Sequence, residues 1–383
     1  MTAPSRRIVF LGTHGQYNIG DELLLETFLT QLGAQHRYLV NSYDPAFTGA
    51  QLRPRFEVEV IDTGADRLRL LRALRGADLL VFGGGSIIKE LYASTGRNAY
   101  STLAMILGVV TFARRIARKP VAMLNIGVGP LRTRTGLWLA RRILSQVGLI
   151  TVRDQKSFDT CREIGIDATL VPDAVFSTEA EFLLRPADDA PAPRSDGPVR
   201  VALNLNFDIE NPDAWEPFLT GLAAALESVH ARHPIEVHSL PMQIGFKAHD
   251  DLEVLDDLAG RLTTVPFVRH EPRTHTDAAR LIRDSDVLVS ERLHAIVMAS
   301  ILGVPSFVLA YDVKVRELAR TLGIEQWTID INEPFDTSTL ADGLVDLIER
   351  REVAGSAVGA RSAELRAEAR DSFARAQAWA ENA

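Results

Sequence analysis

The chain has 383 residues, of which 46% are hydrophobic and 24% are charged, and this composition is typical of a globular protein with two or three domains. Its 42 basic and 50 acidic residues leave a net charge of −8, which argues against nucleic-acid binding as a general property of the surface. The single cysteine, Cys161, excludes intrachain disulfides and thiolate metal clusters, and it favours a reducing, cytoplasmic compartment.

The first half of the chain alternates between short apolar runs and longer amphipathic segments. After the first run we predict a helix over Asp21–Leu32. Strands are predicted at RRIVFLG, HRYLVN, FEVEVID, ADLLVFGGG, PVAMLNIGVG and GLITVRD. Strands that alternate with helices in this way indicate a parallel sheet covered on both faces.

The longest apolar stretch, Leu103–Ala113, is shorter than the ~20 residues that a membrane-spanning helix needs. The basic cluster behind it, Arg114, Arg115, Arg118 and Lys119, is compatible with contact to anionic lipid. A buried helix with a solvated end is the structure we expect here. We therefore predict a protein of the cytoplasm or of the inner face of the membrane. At most it makes peripheral contact with that membrane.

At Pro186–Pro198 the alternation stops, and the sequence PADDAPAPRSDGP predicts a linker. A second series of strands follows at VRVALNLN, IEVHSLP, SDVLVS and VPSFVLAYD, and the last segment is helical. The prediction is an α/β fold with two doubly wound, Rossmann-like domains in a GT-B-like arrangement, with a ligand cleft at the carboxyl ends of the strands. Its predicted parts are an N-terminal domain at 1–185, a linker at 186–198, a C-terminal domain at 199–350 and a C-terminal helix at 351–383.

Two glycine-rich loops follow strands of the first domain. The glycines of the loop GTHGQYNIGDE, Gly12–Glu22, allow tight turns. The loop ends at a helix N-terminus, where backbone amides are available to an anion. A capped turn explains this sequence equally well. The loop FGGGSIIKE, Phe82–Glu90, has three consecutive glycines, which a plain turn seldom requires. A ligand role is the favoured interpretation of this second loop.

Cationic side chains follow three other strands. Arg153 and Asp154 end the sixth predicted strand, where an ion pair or a helix cap is the plain alternative to a ligand role. In SERLHA, Arg292 and His294 combine an anion clamp with a group that titrates near neutral pH, and Lys314 lies on the next loop. These side chains predict a site for a small anion.

Seven segments occur in a fixed order along residues 8 to 325: NIGDE, FGGGS, GVGPL, TVRDQKS, PDAVF, ERLHA and YDVKV. The ordered set, above all RLHA followed by YDxK, resembles the polysaccharide pyruvyl transferase family. That resemblance implies a GT-B-like fold and an enzyme that transfers pyruvate from phosphoenolpyruvate to a pair of sugar hydroxyls as a ketal. It places the protein in cell-surface polysaccharide or glycolipid biosynthesis.

The resemblance also implies roles for particular residues. Arg292, Leu293 and His294 hold phosphoenolpyruvate, and Arg153 meets it from the other domain. The N-terminal loops take the acceptor, a sugar carried on a nucleotide or a lipid. The other residues that we expect to bind substrate are Lys314, Asn18, Gly20, Asp21, Gly84, Gly85 and Ser86.

We expect His294 to act as general acid and base, with Arg292 and Lys314 on the phosphate or carboxylate. The alternative is that His294 only binds the anion and that Asp21 or Glu291 handles the proton. No cofactor is expected, and no metal site is evident because the nine histidines are scattered. Two rival functions stay open, a GT-B glycosyltransferase that uses a nucleotide sugar and a non-catalytic sugar-phosphate-binding protein.

Overall fold

The computed structural model describes residues 5–91, 98–185, 197–207, 212–246 and 249–382. The chain divides into two compact units, each built on its own sheet. Unit 1 comprises Met1–Gln16, Asp21–Ser177 and Arg366–Ala383, and unit 2 comprises Tyr17–Gly20 and Thr178–Leu365. The first unit thus ends at Ser177, earlier than the predicted residue 185, and it includes the end of the C-terminal helix. Most of the predicted linker, 186–196, lies outside the described residues.

Unit 1 contains a parallel sheet of seven strands in the order β3-β2-β1-β4-β5-β6-β7. The strands are β1 Arg7–Leu11, β2 Arg37–Ser42, β3 Glu57–Asp62, β4 Leu79–Gly83, β5 Val121–Ile126, β6 Leu149–Val152 and β7 Thr169–Leu170. The helices between them are α1 Ile19–Leu32, α2 Pro45–Leu52, α3 Arg67–Gly76, α4 Ser101–Thr111, α5 Arg134–Leu144 and α6 Gln155–Glu163. A π-helix, Phe112–Ala117, continues α4, and a 3-10 helix, Ala174–Ser177, ends this part of the unit.

Unit 2 contains a parallel sheet of six strands in the order β10-β9-β8-β11-β12-β13. The strands are β8 Val199–Asn204, β9 Ile235–Ser239, β10 Phe267–Val268, β11 Val287–Ser290, β12 Ser306–Ala310 and β13 Thr328–Asp330. The helices are α7 Ala180–Leu183, α8 Trp215–Arg232, α9 Asp251–Arg261, α10 His275–Arg283, α11 Leu293–Leu302, α12 Val313–Leu322 and α13 Thr337–Glu349. The last helix, α14 Arg351–Asn382, begins in unit 2 and ends in unit 1.

The predicted fold class is confirmed, because both sheets have the strand order of a doubly wound, Rossmann-like fold. In such a fold the order reverses beside the first strand, and ligands bind at the carboxyl ends of the two strands that flank this switch point. Unit 1 has its switch point between β1 and β4, and unit 2 has its own between β8 and β11. All ten predicted strands are present; β7, β10 and β13 were not predicted, because they have only two or three residues and none is buried.

Helix boundaries follow local side-chain chemistry. Asp154 accepts a hydrogen bond from the Ser157 amide at 2.7 Å and caps α6, so the plain interpretation of this aspartate is confirmed. Helix α10 begins with a capping box formed by Thr274 and Asp277. Helix α11 ends at Gly303, whose φ of 70° is accessible to glycine at little cost.

The apolar stretch 103–113 is helical, as expected, but it is not a buried helix. Leu103, Ile106 and Val110 face the core, whereas Met105 is 47% exposed. The reason is that α4 packs one side against the sheet and turns the other side outward. Among the described residues, no helix is long and apolar enough to cross a bilayer.

Candidate functional site

The carboxyl edge of the second sheet, at its switch point, carries a buried ion pair. Arg292 follows β11 and occupies the N-cap position of α11. Its Nη2 lies 2.5 Å from Oδ1 of Asp251, and its Nε lies 3.3 Å from Oδ2 of the same carboxylate. The Arg292 side chain is 13% exposed and the Asp251 side chain 2%. The carboxylate therefore contacts the guanidinium along one edge and fixes its orientation.

Asp251 is itself held by three further donors. Its Oδ2 accepts hydrogen bonds from the amides of Met242 (2.9 Å) and Gln243 (3.2 Å) and from Nδ2 of Asn204 (3.2 Å). Sequence reasoning missed Asp251, although the pair Asp250–Asp251 at the start of an amphipathic segment was a visible helix-start signal. Its partner Arg292 lies 41 residues away in the sequence, and only the fold brings the two together.

Asn204, the last residue of β8, and Asn206, two residues further on, complete this edge. Asn204 accepts hydrogen bonds from the Arg292 amide and from the Ser290 hydroxyl, both at 3.2 Å. Asn206 donates to Oε2 of Glu291 at 2.8 Å, and both side chains are buried. Both asparagines were missed as well. The sequence does show them as two amide side chains in the otherwise apolar run VALNLN. A polar group that is buried in such a run needs hydrogen-bond partners.

His294 lies in the first turn of α11 and packs against the segment Tyr17–Gly20. A Cβ added to Gly20 would stand 2.2 Å from Nδ1 of His294, so no larger residue fits there unless the imidazole moves. Asn18 accepts a hydrogen bond from the Gly20 amide at 3.0 Å and forms an antiparallel bridge to Gln243. Asn18 and Gly20, which were predicted on the acceptor side, thus belong to the second unit, and Gly20 lies beside His294.

The two other predicted residues of the second unit flank this edge. Leu293, half-buried, is the first residue of α11. Lys314 follows β12, the strand beside β11, and its Nζ lies 3.4 Å from Oδ2 of Asp312. Asp312 also caps α12 by accepting from the Val315 amide. Arg292, Leu293, His294 and Lys314 therefore all lie at the carboxyl ends of two neighbouring strands.

The switch point of the first sheet is lined by glycine and backbone. Gly84 and Gly85 follow β4 with φ angles of 65° and 70°, which side chains rarely adopt. The Gly85 carbonyl accepts from the Gly127 amide at 2.8 Å, so the loop runs along the segment that follows β5. Ser86 packs on Gly127, where an added Cβ would stand 2.7 Å from its Oγ. Gly84, Gly85 and Ser86 thus form a close-packed backbone surface.

A second loop at this switch point buries two titratable groups that sequence reasoning did not single out. His14 is 2% exposed and stacks on Phe10, and burial lowers its pKa to about 3. Glu22 accepts a hydrogen bond from the Gly15 amide at 2.6 Å, and burial raises its pKa to about 7. Asp21 precedes it in the first turn of α1. Burial favours the neutral form of both His14 and Glu22.

Arg153 follows β6 in the first unit, as predicted. Its Nη1 lies 3.2 Å from Oδ2 of Asp173, and the two side chains are 9% and 6% exposed. Asp173 also accepts from the Val175 amide at 3.0 Å, at the start of the 3-10 helix. This ion pair joins two of the quoted sequence segments, TVRDQKS and PDAVF.

Within the described chain no group of three or more His, Cys, Asp or Glu is arranged to hold a metal ion.

Comparison with known families matches residues 18–313 of the chain to the family described as polysaccharide pyruvyl transferase. The chain belongs to this family. The match covers the end of the first glycine loop from Asn18 onward, the whole second loop, Arg153, Arg292 and His294, and it ends one residue before Lys314. The chain is accordingly a transferase of polysaccharide biosynthesis, and the resemblance in the sequence motifs is confirmed.

Solved structures of low sequence identity share the fold. UDP-GlcNAc 2-epimerase from Neisseria meningitidis, bound to UDP-GlcNAc, is 12% identical with a TM-score of 0.61, and the match covers 96% of this chain and 98% of that one. The MnaA protein of S. aureus with UDP is 9% identical with a TM-score of 0.57, covering 93% and 91%. These neighbours are GT-B fold proteins, as the sequence predicted.

Proposed function

We propose that this transferase moves pyruvate from phosphoenolpyruvate to two hydroxyls of one sugar and forms a cyclic ketal. The observation that carries the proposal is the pairing of Arg292 and His294 at the switch point of the second sheet. A guanidinium and an imidazole stand there two residues apart, at the position where doubly wound folds bind their ligands.

The donor site is the carboxyl edge of the second sheet. Phosphoenolpyruvate carries a phosphate and a carboxylate, and a guanidinium binds either of them with a planar pair of hydrogen bonds. Asp251 contacts Arg292 through Nε and Nη2 and so orients this fork. The amino end of α11 adds backbone amides and a favourable dipole for an anion. Lys314 contributes a further positive charge from the first turn of α12.

The chemistry needs one proton to reach the methylene carbon of phosphoenolpyruvate. Protonation makes this carbon a methyl group and leaves an oxocarbenium-like centre at C2, which the first sugar hydroxyl attacks as it loses its proton. Phosphate then leaves with the C–O bond electrons, and the second hydroxyl attacks C2 and closes the ring. The sugar hydroxyls lose two protons in all. These account for the one proton added to the methylene carbon and the one proton carried away on phosphate. His294 supplies and recovers the proton, with Glu291 and Asp21 as the alternative acids.

The acceptor is a sugar whose hydroxyls meet neutral donors and acceptors. Gly84, Gly85 and Ser86 present backbone and a hydroxyl at the switch point of the first sheet, which suits polar, uncharged groups. Asp21, in the first turn of α1, belongs to the same acceptor set, whereas Asn18 and Gly20 belong to the second unit and are assigned to its donor edge. A carrier on the sugar fits the fold as well, since the Neisseria meningitidis structure of similar fold holds UDP-GlcNAc. We propose a nucleotide- or lipid-linked acceptor.

The test is a turnover screen with carbon-13-labelled phosphoenolpyruvate and a panel of nucleotide- and lipid-linked sugars. Mass spectrometry should find a labelled pyruvyl ketal on one acceptor, together with one equivalent of inorganic phosphate. The matched control is Arg232→Ala, which removes an arginine from an exposed Arg–Asp ion pair of the same unit and should leave turnover unchanged. Glycosyl transfer from a nucleotide sugar without phosphoenolpyruvate would instead establish the rival glycosyltransferase function.

A further inference from the structure

Three neighbouring helical segments of the first unit share one core and face outward together. They are α3, α4 with its π-helical continuation, and α5. Residues of all three belong to a single buried cluster with Leu74, Ile106 and Ile143 among its members. The Arg75 guanidinium lies 5.3 Å from the ring centroid of Phe112, which ties α3 to the π-helix. We call the outward side of these segments the basic face.

The basic face concentrates positive charge in an acidic protein. The segments 67–76, 101–119 and 132–144 contain twelve Arg and Lys residues and no Asp or Glu. With a net charge of −8 for the whole chain, the remainder then carries −20. All but one of the twelve are exposed: Arg67, Arg69, Arg72, Arg75, Arg114, Arg115, Arg118, Arg132, Arg134, Arg141 and Arg142, with Lys119 half-buried. Arg69 pairs with Glu59 and Asp66, so its charge is partly offset.

Large apolar side chains stand among these cations. Leu68 is 70% exposed, Met105 47%, Ile116 60% and Trp138 57%. Nine large apolar side chains are exposed within the described part of the chain, and these four lie on the basic face. Each of the three segments contributes at least one of them. Such exposure costs free energy in water unless another apolar phase covers it.

We infer that the basic face docks on an anionic lipid bilayer, with the arginines on the headgroups and Leu68, Met105, Ile116 and Trp138 in the boundary of the acyl chains. Helices that combine cationic and apolar side chains lie in this boundary without crossing it. Tryptophan favours the same depth. Nucleic acid fits less well, because phosphate binding uses the cations but gains little from exposed Leu, Met and Ile. The inference does not depend on phosphoenolpyruvate being the donor.

The test is sedimentation of the full chain with vesicles of phosphatidylglycerol and phosphatidylcholine, compared with vesicles of phosphatidylcholine alone. We expect binding to the anionic vesicles only, weakened by added salt. Each surface cation contributes about fivefold to such binding, so the double variant R114E/R115E should bind roughly 25-fold more weakly or worse. The fluorescence of Trp138 should shift to the blue on binding, and Trp138→Phe should remove that shift.

The matched control is R53E/R375E, which reverses two exposed arginines at the end of α2 and on α14 of the same unit. It has the same net charge as R114E/R115E and should bind vesicles as the unaltered chain does. Ile116→Ser, which keeps every charge, should weaken binding about tenfold by loss of apolar burial. Equal losses in both charge variants, or no binding to anionic vesicles at low salt, would overturn the inference. A third result would also overturn it: the chain binds duplex DNA, R114E/R115E abolishes that binding, and Ile116→Ser leaves vesicle binding unchanged.

Discussion

The two sheets share the order of their first six strands but have opposite chemistry at their switch points. At the first, Gly84 and Gly85 expose backbone, and burial favours neutral forms of His14 and Glu22. At the second, Arg292 forms an ion pair with Asp251, and His294 lies in the adjacent helix turn. The strand topology around the two switch points is the same, and the difference lies in the residues that follow the strands. We therefore expect the doubly wound fold to determine where a ligand binds, and the residues at each edge to determine whether that ligand is an anion or a polar, uncharged group.

The largest effect should come from His294. His294→Ala and His294→Gln should each lower kcat by about 10²–10⁴-fold, the usual contribution of a general acid–base group, while phosphoenolpyruvate binding weakens less. Steady-state kinetics with the acceptor from the turnover screen measures both. His233→Gln, at a half-buried histidine of the same unit that pairs with Glu349, is the control. Near-normal kcat in His294→Gln with a raised KM in His294→Ala would make His294 a binding residue and direct attention to Glu291 and Asp21.

Stability should separate the buried ion pair from exposed ones. Asp251→Ala leaves the guanidinium of Arg292 with little solvent and without its carboxylate, so the free energy of unfolding should fall by about 3–5 kcal/mol. Asp342→Ala removes the 69% exposed partner of Arg232 and should cost less than about 1 kcal/mol. Urea unfolding of the two variants measures the difference. Equal losses would mean that Asp251 does not hold Arg292 as described.

The first switch point should respond to pH through Glu22. Its folded pKa of about 7 exceeds the ordinary 4.5, so its contribution to stability is complete below pH 4.5 and is lost as the pH rises through 7. Glu22→Gln keeps an acceptor for the Gly15 amide but cannot ionise. The variant should therefore match the unaltered chain at low pH and exceed its unfolding free energy by about 3 kcal/mol at pH 8. A stability difference independent of pH would contradict this expectation, because it would mean that the pKa of Glu22 is the same in the folded and unfolded states.

Much of the fold could be predicted because it depends on short-range pattern. Apolar runs such as VAMLNI are buried on both faces of a parallel sheet, and their spacing predicts the alternation of strands and helices. The short edge strand β7 escaped prediction because it has two exposed residues and no pattern. Arg292 and His294 could be predicted as site residues from the sequence, because they are polar residues at a strand-to-helix junction.

The rest of the site depends on contacts between distant residues. Asp251 and Asn204 reach Arg292 across 41 and 88 residues of sequence, and no local pattern links them. Gly20 lies beside His294 although 274 positions separate them in the sequence, so its grouping with the second unit was beyond prediction. Glu22 was passed over because its raised pKa arises from burial, which the sequence of the loop does not display.

The central claim is that the second switch point binds phosphoenolpyruvate through Arg292, and calorimetry of that ligand tests it most directly. Arg292→Ala should weaken binding by about 1.5–3 kcal/mol, and Arg292→Lys should restore little of it, because a point charge does not replace a planar fork. Arg232→Ala should bind as the unaltered chain does, and thermal unfolding should confirm that each variant is folded. Unchanged phosphoenolpyruvate affinity in both Arg292 variants would contradict the account and place the donor site elsewhere.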